Sequence, residues 1–251
     1  MTKITLVTGA NRGLGRNIAL SIAAAGGDVI LAYRANEAQA QQVAEEIRAL
    51  GRKAVALPLD IGDIASFPSF ATTLRDSLAE HWGRDSFDSL VNNAGHGEFA
   101  LIEETTEAQF DGLFQVHVKG IFFLVQALLP LLGDGGRIVN VSSGLTRVSY
   151  PGFAAYSAAK AAVEMLTVYM AREFGGRGIT VNTVAPGAIE TDFGGGLVRD
   201  NAEVNAQFAQ MTALGRVGLP EDIGLMVASL LGDGNRWVTG QRIEVSGGQS
   251  I

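Results

Sequence analysis

The chain has 251 residues, and its 26 acidic and 19 basic side chains give a formal net charge of −7 at pH 7. This charge disfavours a surface that neutralises phosphate backbones, so we expect no nucleic-acid partner. The absence of cysteine excludes disulfides and thiolate chemistry and fits a reducing compartment. The first apolar run is too short for a signal peptide or a membrane span, so we expect a cytoplasmic protein without a membrane partner.

Strand-like and helical segments alternate along the whole chain. The first strand is predicted over residues 3–8 and runs into a glycine-rich loop, a helix, and a second strand over DVILAY. Asn36 with Gln39, and Thr106 with Gln109, have the spacing of helix capping boxes. Further strands are predicted in the segments KAVALPL, DSLVNNAG, RIVNVSS, ITVNTVAPG and RIEVSGG, with helices between most of them.

The predicted strands are short, rich in β-branched residues and continuously apolar, as in sheets that helices cover on both faces. We therefore predict an α/β fold, a doubly wound Rossmann-like parallel sheet of about seven strands, in a single domain spanning residues 1–251. Ligands bind such sheets at the carboxyl ends of the strands. Four motifs fall at these ends: Gly9–Gly15, Asn92–Gly95, Ser143 and Pro186–Gly187.

The glycine-rich loop reads Thr8-Gly-Ala-Asn-Arg-Gly-Leu-Gly15. Glycines at 9, 13 and 15 permit a tight turn and allow the backbone to approach a pyrophosphate, which the unpaired N–H groups of the next helix favour. The spacing differs from the usual G-x-G-x-x-G fingerprint, and a glycine cluster alone is more often a turn. Its place between the first strand and the first helix favours a dinucleotide site.

Tyr156 and Lys160 lie four residues apart in a predicted helix, so their side chains share one face. A neighbouring cation favours the phenolate, and lowering a tyrosine pKa from about 10 to about 7 takes roughly 4 kcal/mol. Such a shift would make Tyr156 an acid or base near neutral pH. The same pair also occurs by chance, as does a serine at a strand end such as Ser143, so the interpretation depends on the accompanying motifs.

Five motifs occur in one order along the chain: Thr8-Gly9-x-x-x-Gly13-x-Gly15, Asn92-Asn93-Ala94-Gly95, Ser143, Tyr156-x-x-x-Lys160 and Pro186-Gly187-x-x-x-Thr191. Together they resemble the short-chain dehydrogenases/reductases, and the resemblance covers essentially the whole chain. Each motif alone is weakly specific, whereas the five in register are strongly specific.

The resemblance implies roles for individual residues. Tyr156 would donate a proton in carbonyl reduction, Ser143 would bind the same oxygen, and Lys160 would lower the phenol pKa and hold the nicotinamide ribose. Thr191 would bind the carboxamide, and Asp60 would meet the adenine ring or serve only as a turn residue. The other residues placed at the cofactor are Gly9, Asn11, Arg12, Gly13, Leu14, Gly15, Tyr33, Arg34, Ile61, Asn93, Ala94, Gly95, Pro186, Gly187 and Ile189, and none is assigned to a metal.

His117 departs from the resemblance. The family usually carries an asparagine at this point of its long helix, which positions a water between the active-site lysine and bulk solvent. A neutral imidazole both donates and accepts a hydrogen bond and could take over this task. We therefore include His117 among the catalytic residues, with a buried, space-filling histidine as the alternative.

The end of the second strand indicates NADPH as the cofactor. An NAD-selective site would place a carboxylate there, against the ribose hydroxyls, whereas this chain has Tyr33 followed by Arg34. Arg12 lies in the glycine-rich loop, where the same 2′-phosphate would be found. A planar guanidinium suits phosphate, although each arginine alone could be a solvated surface charge.

We interpret the chain as an NADPH-dependent carbonyl reductase, a homotetramer by resemblance, with a substrate lid over about 188–216. A free small ketone or sugar-like substrate is favoured over a 3-oxoacyl group on acyl carrier protein. The acidic carrier would need basic docking residues. The turn after the long helix has one acid, Asp134, and one arginine, Arg137, instead of a basic cluster, although Arg147 and Arg172 remain available. A catalytically silent dinucleotide-binding regulator is the alternative of another class, and His117 alone favours it.

Overall fold

The computed structural model describes residues 2–251 and contains one seven-stranded sheet. All strands are parallel, in the order β3-β2-β1-β4-β5-β6-β7, which confirms the predicted doubly wound fold. The strands are β1 (Ile4–Thr8), β2 (Asp28–Tyr33), β3 (Ala54–Pro58), β4 (Phe87–Asn92), β5 (Leu132–Val141), β6 (Thr180–Pro186) and β7 (Arg242–Val245). The helices are α1 (Gly13–Ala24), α2 (Glu37–Ala49), α3 (Phe67–Trp82), α4 (Glu107–Phe114), α5 (Ile121–Leu128), α6 (Ala154–Phe174), α7 (Leu197–Asp200), α8 (Ala202–Gln210) and α9 (Pro220–Leu230).

Helices cover both faces of the sheet, and every residue of β1, β2 and β6 is buried. On one face α3, α5 and α6 contribute Leu74, Leu124 and Val163 to a first core cluster. On the other face α1 and α9 contribute Ile18 and Val227 to a second one. Burial on both sides explains why these strands read as continuous apolar runs instead of alternating patterns.

Two predicted helix starts are confirmed in detail. The Asn36 side chain accepts a hydrogen bond from the Gln39 backbone N–H at 3.2 Å. Thr106 and Gln109 form a reciprocal capping box, with the Gln109 side chain accepting from the Thr106 backbone N–H at 3.0 Å. Each cap satisfies backbone donors that a helix otherwise leaves unpaired, so these local signals fix where α2 and α4 begin.

The strand order reverses between β1 and β4, and this places the glycine-rich loop beside the segment that follows β4. The Thr8 hydroxyl accepts hydrogen bonds from the backbone N–H groups of Asn93 and Ala94, both at 3.0 Å. The Asn93 side-chain amide donates to the Thr8 carbonyl at 2.9 Å. These bonds hold the two strand ends together, so Asn93 has a structural role here besides its predicted place at the cofactor.

The segment expected to be a loop-like lid contains the short helices α7 and α8. Asn201 separates them, and its side chain accepts from the Glu203 and Val204 backbone N–H groups at 3.0 and 3.1 Å. Three consecutive glycines with positive φ, Gly194 to Gly196, precede α7. Only glycine adopts this conformation without strain, so the triplet fixes the path of the chain into α7.

A six-residue π-helix, Gln115–Gly120, joins α4 to α5. The whole stretch Glu107–Leu131 is long and apolar enough, by length and composition only, to cross a membrane. Core helices of soluble proteins meet the same criteria, and here Leu124, Val125 and Leu128 lie in the first core cluster. The apolar composition of α5 is therefore accounted for by its place in the core of this protein.

The two tryptophans lie in opposite environments. The Trp82 indole N–H donates to Asp28 Oδ2 at 2.9 Å and so ties the end of α3 to the start of β2. The Trp237 side chain, in the loop before β7, is 97% exposed. Trp82 therefore contributes to the fold of this chain, whereas Trp237 buries almost no surface within it.

Candidate active site

The glycine-rich loop is shaped by close contacts at two of its glycines. A side chain on Gly15 would overlap the Gly9 carbonyl oxygen and the Asn93 amide, and one on Gly9 would lie 3.0 Å from the Ala94 Cα atom. Gly13, by contrast, has a φ of +56° and no atom within 4 Å of a Cβ position. The backbone is therefore compact on the sheet side and open at Gly13, where α1 begins.

Ser143 lies two residues beyond the end of β5, as predicted. Its Oγ atom accepts a hydrogen bond from the Leu145 backbone N–H at 3.2 Å and caps the single turn Gly144–Thr146. The hydroxyl hydrogen remains available, because a serine donates one bond while accepting others. Ser143 can therefore offer a hydrogen bond to a substrate oxygen.

Tyr156 and Lys160 lie on one face of α6, and both are buried. The Lys160 Nζ atom is 5.6 Å from the centroid of the Tyr156 ring and donates to the Val141 carbonyl at 2.9 Å. Burial raises the pKa of Tyr156 above its ordinary value, opposed by a hydrogen bond with Ser143. Burial also lowers the pKa of Lys160 to about 8.

These shifts correct the expected electrostatics of the pair. We expected Lys160 to lower the pKa of Tyr156, but the cost of burying a phenolate outweighs any such effect in this structure. Tyr156 is consequently protonated at neutral pH. A neutral phenol is the form that can donate a proton to a carbonyl oxygen, so the site is prepared for reduction.

His117 is buried within the π-helix, and its ring lies edge-on to Tyr156 with centroids 5.4 Å apart. Burial, with a further contribution from Lys160, lowers the pKa of His117 to about 2, so the ring is neutral. Its Nε2 atom is 2.7 Å from the His96 carbonyl oxygen and therefore carries the hydrogen. Within residues 2–251, Nδ1 is buried without a partner and is left as an acceptor. The ring also fills the space above Gly95.

The two arginines predicted to bind the 2′-phosphate have different surroundings in this structure. Arg12 Nη1 lies 3.8 Å from Asp192 Oδ2, at the base of the lid, while Arg34 is exposed after β2. Asn11 bridges the glycine-rich loop to α2 by donating to Gln39 Oε1 at 3.0 Å. The convergence of Arg12 and Arg34 on one phosphate therefore stays a prediction.

Other residues assigned to the cofactor line the same edge of the sheet. Tyr33 is buried at the end of β2, and Ile61 is buried against Gly120 of the π-helix. Asp60 is exposed, and its Oδ1 atom accepts a hydrogen bond from the Gly62 backbone N–H at 2.8 Å. This bond is the one expected of a turn residue, and it does not involve the Oδ2 atom. Leu14 lies in the first turn of α1, Pro186 is the last residue of β6, and three further predicted residues follow β6: Gly187, Ile189 and Thr191.

Phe193 was not predicted as a site residue, but its ring centroid lies 5.6 Å from that of Tyr156. It comes from the lid and leaves no room for a side chain on Gly97. Phe99 and Phe153 add an edge-on pair with centroids 5.7 Å apart. Phe99 is 67% exposed, so an apolar ring stands open to solvent next to Phe153, three residues before Tyr156 in the chain.

Two charged residues behind Ser143 were also missed. Glu164 Oε1 accepts from the Ser142 hydroxyl at 2.7 Å and from Arg242 Nε at 2.9 Å. Glu164 follows Lys160 by four residues, so helical spacing could have placed it on the catalytic face. Arg242 lies on β7, and no local pattern connects it to the site.

Known proteins resemble this chain over nearly its full length. The family model described as Enoyl-(Acyl carrier protein) reductase matches residues 9–250. The hydroxynaphthalene reductase-like protein Arp2 of Metarhizium brunneum is 38% identical, over 98% of this chain and 94% of its own length. This chain belongs to the short-chain dehydrogenase/reductase family.

Further members of the short-chain dehydrogenase/reductase family support the assignment. Versicolorin reductase stcU of Emericella nidulans is 35% identical, over 98% of this chain and 95% of its own length. The solved structure of the angucycline C-6 ketoreductase LanV with bound NADP is 39% identical with a TM-score of 0.93, covering 99% of this chain and 95% of that one. The protein is therefore an oxidoreductase, and its relatives support carbonyl reduction.

The family implies a nicotinamide dinucleotide, and the residues present fit one. The twelve-residue helix α1 begins at Gly13 without a side-chain cap from Arg12, so its first N–H groups are open to a pyrophosphate. Gly13 has the open space that a phosphate requires, and no atom lies within 4 Å of its Cβ position. Tyr156 and Lys160 lie along the same edge, where the nicotinamide end would be held.

Proposed function

We propose that the protein reduces a ketone to a secondary alcohol with NADPH. The observation that carries this proposal is the buried Tyr156, with the Lys160 Nζ atom 5.6 Å from its ring centroid on the same helix face and Ser143 just beyond the end of β5. A protonated phenol and a serine hydroxyl together supply two donors for one carbonyl oxygen. NADPH, when bound, supplies the hydride.

The chain's own residues perform the remaining steps. Ser143 donates a hydrogen bond to the carbonyl oxygen and orients it. Tyr156 then gives its proton to the same oxygen as negative charge develops there, and Lys160 would hold the nicotinamide ribose. In the reverse direction Tyr156 would have to start as a phenolate, which its burial opposes, so the protein at neutral pH holds Tyr156 in the form that reduction uses.

NADPH is proposed over NADH because no carboxylate occupies the end of β2. Tyr33 stands at that position, followed by the exposed Arg34. Arg12 is 65% exposed, and its Nη1 atom is 3.8 Å from Asp192 Oδ2, a long distance for an ion pair. A phosphate could therefore replace this weak ion pair. The NADP bound to the related LanV structure supports the same choice.

The substrate that we propose is a free, planar ketone next to an aromatic ring system. Hydroxynaphthalene, versicolorin and angucycline appear in the names of the relatives. Phe193 offers a ring near Tyr156, and Phe99 and Phe153 form a second aromatic pair on the segments before α4 and α6, where an aromatic substrate could pack favourably. Tyr150 and Phe208 add a further edge-on pair beside the lid, with centroids 5.9 Å apart.

An acyl-carrier-protein substrate is the second candidate, because the matching family model is described by that carrier. Its acidic surface would need free cations near the site. Arg147 is held by Glu244, with atoms 2.6 Å apart, and Arg177 is held by Asp134 at 2.7 Å. Of the two arginines that the sequence left available, Arg147 is therefore paired, whereas Arg172 is exposed on α6.

Self-association and a cytoplasmic location are part of the proposal. Exposed apolar side chains lie on neighbouring helices α5 and α6, where a second copy could cover them: Phe122, Met165, Val168 and Tyr169. A homotetramer would need this surface and a second contact surface between subunits. The absence of cysteine suits a reducing compartment.

The test is NADPH oxidation with matched substrates. We expect turnover of a bicyclic aromatic ketone such as a tetralone, and weaker turnover of a small aliphatic ketone. A 3-oxoacyl group is supplied on pantetheine and on acyl carrier protein, and a strong preference for the carrier-bound form would establish the second candidate instead. No NADPH oxidation with any aldehyde or ketone in the panel would favour a silent regulator.

A further inference from the structure

The turn Gly144–Thr146 controls where the Ser143 hydroxyl points. Ser143 Oγ accepts from the Leu145 backbone N–H at 3.2 Å, so the hydroxyl follows any movement of that amide. Ser143 and Tyr156 must reach the same substrate oxygen from different elements. A misplacement of about 1 Å between reacting groups can cost about 10²-fold in rate, so the position of this turn matters for catalysis.

Glu164 holds the turn from the side of α6. Its Oε1 atom accepts from the Ser142 hydroxyl at 2.7 Å and from the Thr146 hydroxyl at 2.8 Å, one residue before Ser143 and three residues after it. Glu164 also lies one helical turn after Lys160. The helix that carries the proton donor therefore binds both ends of the serine turn.

Arg242 holds the same turn from β7. Its Nη2 atom donates to the Thr146 hydroxyl at 3.0 Å and approaches the Ser143 carbonyl oxygen at 3.4 Å, while Nε donates to Glu164 at 2.9 Å. The Arg242 and Glu164 side chains are only 26% and 18% exposed. Charge-assisted bonds at this depth are stronger than those of a solvated surface pair.

The pair has further support on its outer side. Glu244 Oε2 accepts from Arg242 Nη1 at 3.1 Å and from Arg147 Nε at 2.7 Å. Arg147 in turn donates to the Gln249 carbonyl oxygen at 2.5 Å. The guanidinium of Arg242 is thus fixed between two carboxylates, which leaves it little freedom to release the turn.

We propose that the Arg242–Glu164 pair is a positioning pair that fixes the Ser143 hydroxyl relative to Tyr156. It touches neither substrate nor cofactor and acts through Ser142, Thr146 and the Ser143 carbonyl. This inference rests on the proposed role of Ser143 in ketone reduction. It predicts that the pair affects kcat and leaves NADPH binding unchanged.

The test is a double-mutant cycle with Ser143→Ala. We expect Arg242→Met to lower kcat for ketone reduction by about 10- to 100-fold, with the NADPH dissociation constant within about twofold of the original. In the Ser143→Ala background the same substitution should lower kcat by less than about twofold, because no hydroxyl remains to be positioned. Equal losses in both backgrounds would overturn the proposal.

Two further variants separate positioning from stability. Arg242→Met with Glu164→Gln removes both charges, so the protein folds without an unpaired buried carboxylate, and the kcat loss should persist. Arg177→Met is the matched control, because Arg177 also binds a carboxylate and a backbone carbonyl, Asp134 and Leu129, and has been given no catalytic role. A kcat loss in the control as large as in Arg242→Met would contradict a specific effect.

Amide hydrogen exchange provides a readout that does not depend on activity. The Leu145 N–H is protected by Ser143 Oγ, so Arg242→Met should accelerate its exchange by at least about 10-fold without a comparable change in β6. Unchanged exchange at Leu145 would refute the positioning pair even if the protein reduced no ketone. Absence of ketone reduction in the unmodified protein would refute the proposed function instead.

Discussion

At the scale of single residues, Tyr156 has the most direct test. Tyr156→Phe removes the transferable proton and keeps the ring, so we expect reduction to fall by at least about 10²-fold while NADPH affinity changes little. Steady-state turnover and a fluorescence titration with NADPH measure the two quantities. Tyr169→Phe, on the exposed side of the same helix, is the control. A Tyr156→Phe protein with more than about a tenth of normal turnover would contradict the assignment.

Lys160 predicts how the rate depends on pH. Below its pKa of about 8 the side chain is charged and can hold the ribose, and it loses this charge as the pH rises through that value. Tyr156 stays protonated over the same range because its pKa is raised. We therefore expect kcat for reduction to decline above pH about 8. Lys160→Arg should be slower but without this decline, since arginine stays charged. A wild-type rate that is constant to pH about 10 would disprove the interpretation.

Substitutions of His117 distinguish a role in proton transfer from a role in filling space. Its neutral ring presents Nδ1 as a buried acceptor, so His117→Asn, which keeps an acceptor, should retain most of the turnover. His117→Leu should slow turnover by about 10-fold or more if a proton passes here, which is within the range for acid–base groups. Stopped-flow or steady-state rates distinguish the two variants. Equal rates in His117→Leu and the unmodified enzyme would show that the imidazole only fills space.

Cofactor preference depends on Arg12 and Arg34. One charge-assisted hydrogen bond is worth about 1.5–3 kcal/mol, so we expect kcat/KM to favour NADPH over NADH by at least about 10²-fold. The Arg12→Ala/Arg34→Ala double variant should lose most of this preference by weakening NADPH use alone. Equal use of both cofactors by the unmodified protein would remove the assigned role from both arginines.

At the scale of elements, the glycine-rich loop is the most constrained. Gly15→Ala would drive a Cβ into the Gly9 carbonyl oxygen, so the loop must shift and the NADPH dissociation constant should rise by at least about 10-fold. Gly176→Ala is the control, because its Cβ position is open. Calorimetric titration compares the two. An unchanged constant in Gly15→Ala would mean that the loop tolerates the displacement.

The strands and helix starts could be predicted because their signals are local. Short segments rich in apolar and β-branched residues predicted all seven strands, and Thr106 with Gln109 predicted the start of α4. The start of β5 was wrong, because this strand begins at Leu132, ahead of the predicted segment RIVNVSS. The π-helix could not be predicted, since buried positions Leu113, His117, Gly120 and Leu124 keep ordinary helical spacing through it. The helices of the lid were missed because they are short and follow three glycines, which favoured a loop.

At the scale of the whole molecule, contacts between segments that are distant in the chain could not be predicted from the sequence. Tyr156, Lys160 and Ser143 could be named from motifs, but the pKa of Tyr156 depends on burial by elements that no local pattern reveals. Arg242 reaches the serine turn from β7, 78 residues after Glu164, only because β7 pairs with β6. Position in the sheet, not residue type, gives that arginine its role.

The contrast between Trp82 and Trp237 gives the protein an intrinsic optical label. Indole emission moves to shorter wavelength when the ring leaves water, and these are the two tryptophans of the chain. Trp82 is partly buried against the core and bound to Asp28, so its emission reports unfolding, whereas the 97% exposed Trp237 would respond only to something that covers it. A blue shift on raising the protein concentration, absent in Trp237→Phe, would therefore locate a subunit contact at the loop before β7 without any added dye.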